Sequence, residues 1–167
     1  MDVILELREK ARRTGRRIVL PESQDARVVQ AAATLKSEGL VEPVLVQARG
    51  AGAIPPGIDV VRPSSDARRE RFAAELFELR KHKGLTEEQA AERVLDPLVF
   101  AAFLIRRGDC QGAVAGSEAQ TADVLRAGLQ VVGLQQGMQT LSSCFLMILK
   151  DRVLTYADCG VVPDPTA

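Results

Sequence analysis

The chain has 167 residues and carries 22 Lys and Arg against 22 Asp and Glu, a formal net charge of zero. That length suits one domain, or one domain and a piece of another. A composition 46% hydrophobic and 26% charged excludes general disorder, and the nil charge excludes nucleic-acid binding by bulk electrostatics. The longest apolar run, 97–105, is too short to span a bilayer, and no apolar signal-peptide core opens the chain. No membrane partner is expected, and the expected compartment is the cytoplasm.

The first element is a charged helix over Val3 to Thr14, with Ile4, Leu5, Leu7 and Ala11 on one side and Gly15 as its stop. Arg17 to Leu20 is a short apolar strand ended by Pro21. Glu22, Ser23 and Asp25 are expected at the start of the next helix, where acidic and small polar side chains meet free N–H groups. That helix carries the stripe Val28, Val29, Ala32 and Leu35 and closes at Gly39. Pro43 to Val46 is a second buried strand, so a parallel sheet with a right-handed crossover follows. Residues 51–57 form a Gly/Pro loop, and Asp59 to Arg62 a third strand.

Helices are expected over Ala67 to Lys81, from Thr86-Glu-Glu, and from Asp96-Pro97, the last apolar almost all round. Gly112 to Gly116 reads as a strand bracketed by glycine, and Thr121 to Val132 as a helix. Ser143 to Leu149 and Val153 to Tyr156 read as a hairpin turning at Lys150-Asp-Arg152. The fold class is α/β, doubly wound, with a mainly parallel sheet.

Residues 111–167 carry only Glu118, Asp123, Arg126, Lys150, Asp151, Arg152, Asp158 and Asp164 as charged side chains. So bare a stretch is expected to be buried, or covered by an oligomeric partner or a second domain. Cys110, Cys144 and Cys159 cannot all pair and lack metal-ligand spacing, so they are expected as small buried hydrophobes. His82 is the single histidine, and no metal site or Ser-His-Asp triad can be assembled around it.

Two constellations carry chemistry. The first is the run from Ala113 through Gly116, Ser117, Thr121 and Asp123 to Arg126, beyond the carboxyl end of a strand, where open α/β sheets bind ligands. Its glycine admits close approach, the helix start offers N–H donors to an anion, and Arg126 adds charge. An ordinary capped helix with a solvated arginine is the other reading. The second is Glu78-Leu-Arg80-Lys-His-Lys83-Gly, either a complement to a helix C-terminal dipole or a clamp for a phosphorylated ligand. The arginines Arg12, Arg13, Arg16 and Arg17, diluted by Glu6 and Glu9, read as a solvated face. The glycine-rich phosphate-loop signatures are absent.

The stretches Arg17-IVLPESQDARVVQAA, Glu78-LRKHKG, Asp96-PLVFAAFLIRRGDCQGAVAGS, Thr121-ADVLRAGLQVVGLQ and Tyr156-ADCGVVPDPTA run in the order found in the phosphate acetyl/butyryl transferases. The chain resembles the N-terminal half of that family, with wording nearest the short ethanolamine-utilisation members. The resemblance implies an isocitrate/isopropylmalate dehydrogenase-like fold. It implies an N-terminal α/β domain over 1–140 and the start of a second over 141–167, cut before most of that domain.

It also implies acetyl transfer between CoA and phosphate. The substrates are CoA, acetyl phosphate and phosphate, no cofactor is bound, and a homodimer or other self-association is expected. Arg80 and Arg126 match family arginines implicated in CoA binding, with Ser117, Thr121 and Asp123 in the same loop and helix start. Gln120 stands where many relatives have His, and Ala127 where they have Pro. The family's catalytic Asp and its Ser-Arg phosphate contact lie beyond this chain, so no catalytic residue is assigned and the chain is expected to be inactive alone. A stand-alone CoA- or nucleotide-binding module, or a partner-dependent subunit, is the alternative.

Overall fold

Short β-branched runs bounded by Pro and Gly become the strands of one parallel sheet. In the computed structural model, which describes residues 3–47 and 52–164, these are β1 (Arg17–Leu20), β2 (Glu42–Val46), β3 (Asp59–Val61) and β4 (Gly112–Ala113). Their order is β3-β2-β1-β4, every pairing parallel, with Val19 beside Val44 and Ala113, and Leu45 beside Val60. Parallel neighbours bring their carboxyl ends together at one edge of the sheet, and the loops that follow β1 and β4 therefore meet.

Side chains alternate across the sheet and divide the core in two. Leu20 and Leu45 pack with Ala32 of α2 (Ala26–Ser37) and with Ile58 on one face. Val19, Val44 and Val46 pack on the other face with α3 (Arg69–Arg80), α4 (Glu87–Arg93), α5 (Pro97–Arg106) and α6 (Thr121–Val131). The expected mixed α/β architecture with a parallel sheet is thus present, helices covering both faces. The α5 helix buries Phe100 through Leu104, as an all-apolar helix must. Phe72 lies at the centre, its ring 4.8 Å from Phe103 and 5.1 Å from Phe100.

Several elements differ from expectation for local reasons. The α3 helix begins at Arg69, because Asp66 turns back to accept the Arg68 N–H at 2.9 Å and to hold its guanidinium. It gives way to a 3-10 turn at Lys81–Lys83, closed by Gly84 at φ 82°, a left-handed conformation that suits glycine. The α4 helix is fixed by a capping box between Thr86 and Gln89. The strand expected over Gly112 to Gly116 pairs over two residues only, and Gly116 at φ 102° turns the chain away.

Of Glu22, Ser23 and Asp25, Asp25 alone caps α2, accepting the Arg27 N–H at 2.8 Å. Ser23 instead donates its hydroxyl to the Val46 carbonyl at 2.8 Å, and Glu22 reaches toward the loop after β4. The first helix, α1 (Val3–Thr14), buries none of its residues, and Leu7 is 46% exposed. The start of the 51–57 loop, at Ala51, and the last three residues of the sequence lie outside the described residues. No helix among the described residues is long and apolar enough to cross a membrane.

The chain divides into two compact units: Leu5–Gly133, and the described residues from Leu134 onward with Val3 and Ile4. The second unit holds the expected hairpin, β5 (Cys144–Ile148) antiparallel to β6 (Val153–Ala157), with Phe145 opposite Tyr156. Expected to be buried, or else covered by a partner or a second domain, its apolar side chains are exposed in this chain: Phe145 60%, Leu146 50%, Tyr156 56%. Cys144 is likewise exposed and Cys159 half-buried. Only Cys110 is the buried hydrophobe expected of all three, and all are free thiols. After β6, the Asp158 carboxylate gathers the Ser143 hydroxyl and the N–H groups of Gly160, Val161 and Val162. The Ser143 hydroxyl and these N–H donors hold it well below the usual carboxylate range.

Removing the Phe72 ring opens a cavity where three aromatic rings and both flanking helices meet. Phe72→Ala is expected to lower the unfolding free energy by about 4 kcal/mol, read from urea melts followed by circular dichroism. A loss below about 1 kcal/mol would show that the ring is not central to the core.

Candidate functional site

The turn Pro21-Glu-Ser23 sits just past β1, where the loop after β4 comes alongside. Glu22 is 4% exposed, and its carboxylate fills a ring of backbone donors. One oxygen accepts the N–H groups of Gly116 and Ser117 at 2.7 and 2.9 Å. The other accepts those of Glu118 and Ala119 at 2.8 and 2.7 Å. Successive N–H groups around a glycine form a cradle for an anion, and here the protein's own carboxylate occupies it. Burial alone would raise the Glu22 pKa. The Ala119, Glu118, Ser117 and Gly116 N–H groups outweigh it, and the net shift is downward.

The N–H groups of residues 116–119 are thus taken internally, ahead of the helix start at Thr121 that was expected to offer donors to an anion. Ser117 is also engaged, donating to Asp25 and accepting from the Arg27 guanidinium at 3.1 Å. The Arg27 and Ser117 hydrogen bonds in turn hold the Asp25 carboxyl well below its usual range. Ser117 is thus a brace between two loops. Thr121 is the first residue of α6 and is exposed. Gln120 precedes it as N-cap, with no capping bond from its side chain.

The arginines are placed differently. Arg80, at the end of α3, and Arg126, on α6, line one shallow depression of about 420 Å³ floored by Ala122, Leu125 and Leu129. Arg126 also borders a second depression with Asp123, Ala119 and Arg93. Arg80 borders a third with Lys83, Gln89, Glu92 and Arg93. Each pair of depressions shares one arginine: Arg80, Arg93 or Arg126. The three depressions therefore adjoin one another at these arginines across α3, α4 and α6, all within the first unit. Asp123 pairs with Arg126 within α6, one turn apart, and both remain about half exposed. No ion pair among the described residues engages Arg80, Lys83 or Arg93.

Arg93 carries no sequence signal of its own, since a basic residue in a last helical turn is expected from the dipole alone. A fourth depression, between α3 and α4, sets Glu70, Glu78 and Glu87 against one Arg69 and has the wrong sign for an anion. Among the described residues, no cluster of His, Cys, Asp and Glu is arranged to hold a metal.

Glu22→Gln keeps the shape but turns an amide N–H₂ toward two backbone donors. It is expected to destabilise the fold by about 3 kcal/mol. Because the folded pKa of Glu22 lies below the ordinary 4.5, its contribution is complete above that value and is lost as pH falls through the folded pKa. The acid limb of stability against pH should therefore be shallower in the variant than in the wild-type chain. Parallel limbs would remove Glu22 from the explanation.

The family model for phosphate acetyl/butaryl transferase matches residues 2–167. The phosphate acetyltransferase of Helicobacter pylori is 34% identical over 96% of this chain and 32% of its own length. That of Clostridium acetobutylicum is 35% identical over 100% of this chain and 54% of its own. Among solved structures, a phosphotransacetylase from Streptococcus pyogenes superposes with TM-score 0.88 at 32% identity, covering 99% of this chain and 54% of that one. The EutD phosphotransacetylase from Staphylococcus aureus gives TM-score 0.83 at 28% identity, over 98% of this chain and 52% of that one. The chain spans about half of these structures and a third to a half of these two relatives. It belongs to the phosphate acetyl/butaryl transferase family.

Proposed function

We propose that this chain supplies the CoA-holding part of an enzyme that moves an acetyl group between CoA and phosphate. One observation carries this reading: Arg80 and Arg126, 46 positions apart in sequence, line the same depression. Two guanidinium groups beside an apolar floor of Ala122, Leu125 and Leu129 suit a ligand that joins phosphates to an adenine and an aliphatic arm. Asp123 would act indirectly, by holding Arg126 through their intrahelical pair. Ser117 would act through the brace described above, and Thr121 by its place at the mouth of α6.

In the reaction, a general base takes the CoA thiol proton and the thiolate attacks the carbonyl carbon of acetyl phosphate. A C–S bond forms, the C–O bond to phosphorus breaks, and phosphate leaves. The groups this reading assigns to base and phosphate contact, an Asp and a Ser-Arg pair, belong to a further segment of the family. The chain alone would then bind CoA without turnover. The same reading takes the fold as isocitrate/isopropylmalate dehydrogenase-like, with 1–140 as one domain and 141–167 opening a second. It places the protein in the cytoplasm. The exposed apolar hairpin β5–β6 is compatible with self-association.

Calorimetry of the 167-residue chain with CoA tests the proposal. Binding is expected, and Arg80→Ala and Arg126→Ala should each weaken it about tenfold or more. Arg126→Lys should also weaken it, because the planar fork is lost although the charge remains. Binding unaltered by all three variants would refute the assignment. Acetyl-CoA formation by the chain alone would refute only its inactivity.

A further inference from the structure

Arg80 and Arg126 stand on different helices, so the width of the depression they line is set by how α3 and α6 are held together. Glu75 lies one and a half turns before Arg80 on α3, and Val131 the same distance after Arg126 on α6, about 7.5 Å along each axis. Arg106, the last residue of α5, joins these two points. Its Nε donates to Glu75 Oε1 at 2.7 Å, and a terminal nitrogen donates to the Val131 carbonyl at 2.8 Å, with the Val132 carbonyl at 3.4 Å. Carbonyls at a helix end lack intrahelical donors and lie at the negative end of the dipole, so a guanidinium is well placed there. The α5 helix that carries it is anchored by buried Phe100 to Leu104. Glu75 is also largely buried and holds Arg107 through its other oxygen. Burial would raise the Glu75 pKa, but the Arg106 and Arg107 guanidinium groups outweigh it and the net shift is downward.

We infer that Arg106, seated on Glu75, is a positioning residue that fixes the separation of Arg80 and Arg126, and through it the fit of the ligand between them. The identity of that ligand rests on the CoA reading above, whereas the clamp is set by the hydrogen bonds themselves. Arg106 lines none of the depressions described above, so it acts on the ligand only through the two helices. A planar guanidinium serves the carboxylate and the helix end in fixed directions, which a lysine ammonium does less well.

Two readouts on the full chain test the clamp, with circular dichroism verifying that each variant is folded. The first needs no ligand. Spin labels at Glu78→Cys and Gln130→Cys, with Cys144 and Cys159 replaced by Ser, report the distance between α3 and α6. Its distribution should be narrow in the otherwise unaltered chain, broader in Arg106→Ala and intermediate in Arg106→Lys. The second is calorimetry with CoA. Arg106→Ala should weaken binding about fivefold, with Glu75→Gln partial and Arg106→Lys restoring much of the loss. In an Arg126→Ala background the same Arg106→Ala change should cost less than about twofold, because its effect runs through Arg126. An unchanged distance distribution, unaltered CoA affinity in Arg106→Ala, or equal weakening in both backgrounds overturns the clamp. Should Arg106→Ala unfold the chain, Arg106→Lys and Glu75→Gln carry the same comparisons. If wild type does not bind CoA, the CoA reading fails and the distance readout alone decides: a broadened distribution upholds the clamp, and an unchanged one overturns it.

Discussion

The carboxylate of Glu22 is the contact on which this site depends. It lies at the end of β1 and takes four backbone N–H groups from the segment that leaves β4 and enters α6. Two residues earlier in the chain the backbone is a buried parallel strand, and one residue later Ser23 is bonded to the end of β2. The turn after β1 thus fastens the carboxyl ends of its two sheet neighbours. Without it, four donors beside a glycine turn would face each other with no acceptor, and α6 would lose its fixed entry. Arg126 stands less than two turns into that helix, so its position in the groove follows from the same carboxylate.

This arrangement also bears on where the proposed ligand would sit. Strand-loop-helix junctions in parallel sheets commonly offer backbone N–H groups to phosphate. Here the cradle is filled internally, and under the proposed function the anion would be met by side chains on α3, α4 and α6. Guanidinium groups reach farther from the sheet and adapt to a larger ligand than a four-residue loop can. That is why the proposed ligand is one with several phosphates and an apolar arm. Under that proposal the division of labour is physical: backbone donors build the scaffold, and side-chain cations would meet the ligand.

Much of the fold is legible in the sequence because its signals are local. Pro21, Gly39 and Gly84 punctuate, the Thr86 and Asp96 caps are self-contained, and the all-apolar run 97–105 can only be a core helix. The strand at 112–116 was over-extended because apolar pattern does not reveal where pairing stops. Glu22 was misplaced because its partners lie more than ninety residues away, at the neighbouring strand's end. Nothing in Pro-Glu-Ser distinguishes a capping carboxylate from a clamp. Arg80 and Arg126 stand out in two separate basic or loop motifs and are strengthened by resemblance to a family, while their shared depression comes only from the packing of α3 against α6. Arg93 was invisible for the same reason, since a basic last turn has an ordinary explanation. The bare C-terminal stretch forms a hairpin whose apolar residues are exposed in this chain, so of the two expectations drawn from its composition, burial within the chain is the one that fails.

The most direct measurement is a two-dimensional ¹H–¹⁵N titration of the chain with CoA, following the amides of residues 116–119 beside the side-chain signals of the groove arginines. The four amides should show the slow exchange and downfield shifts of charge-assisted hydrogen bonds before ligand is added. They should keep them throughout, while the guanidinium signals of Arg80, Arg93 and Arg126 move. Amides 116–119 that exchange freely without ligand, or that shift with CoA while the arginines stay still, would contradict the filled cradle and return the anion site to the loop.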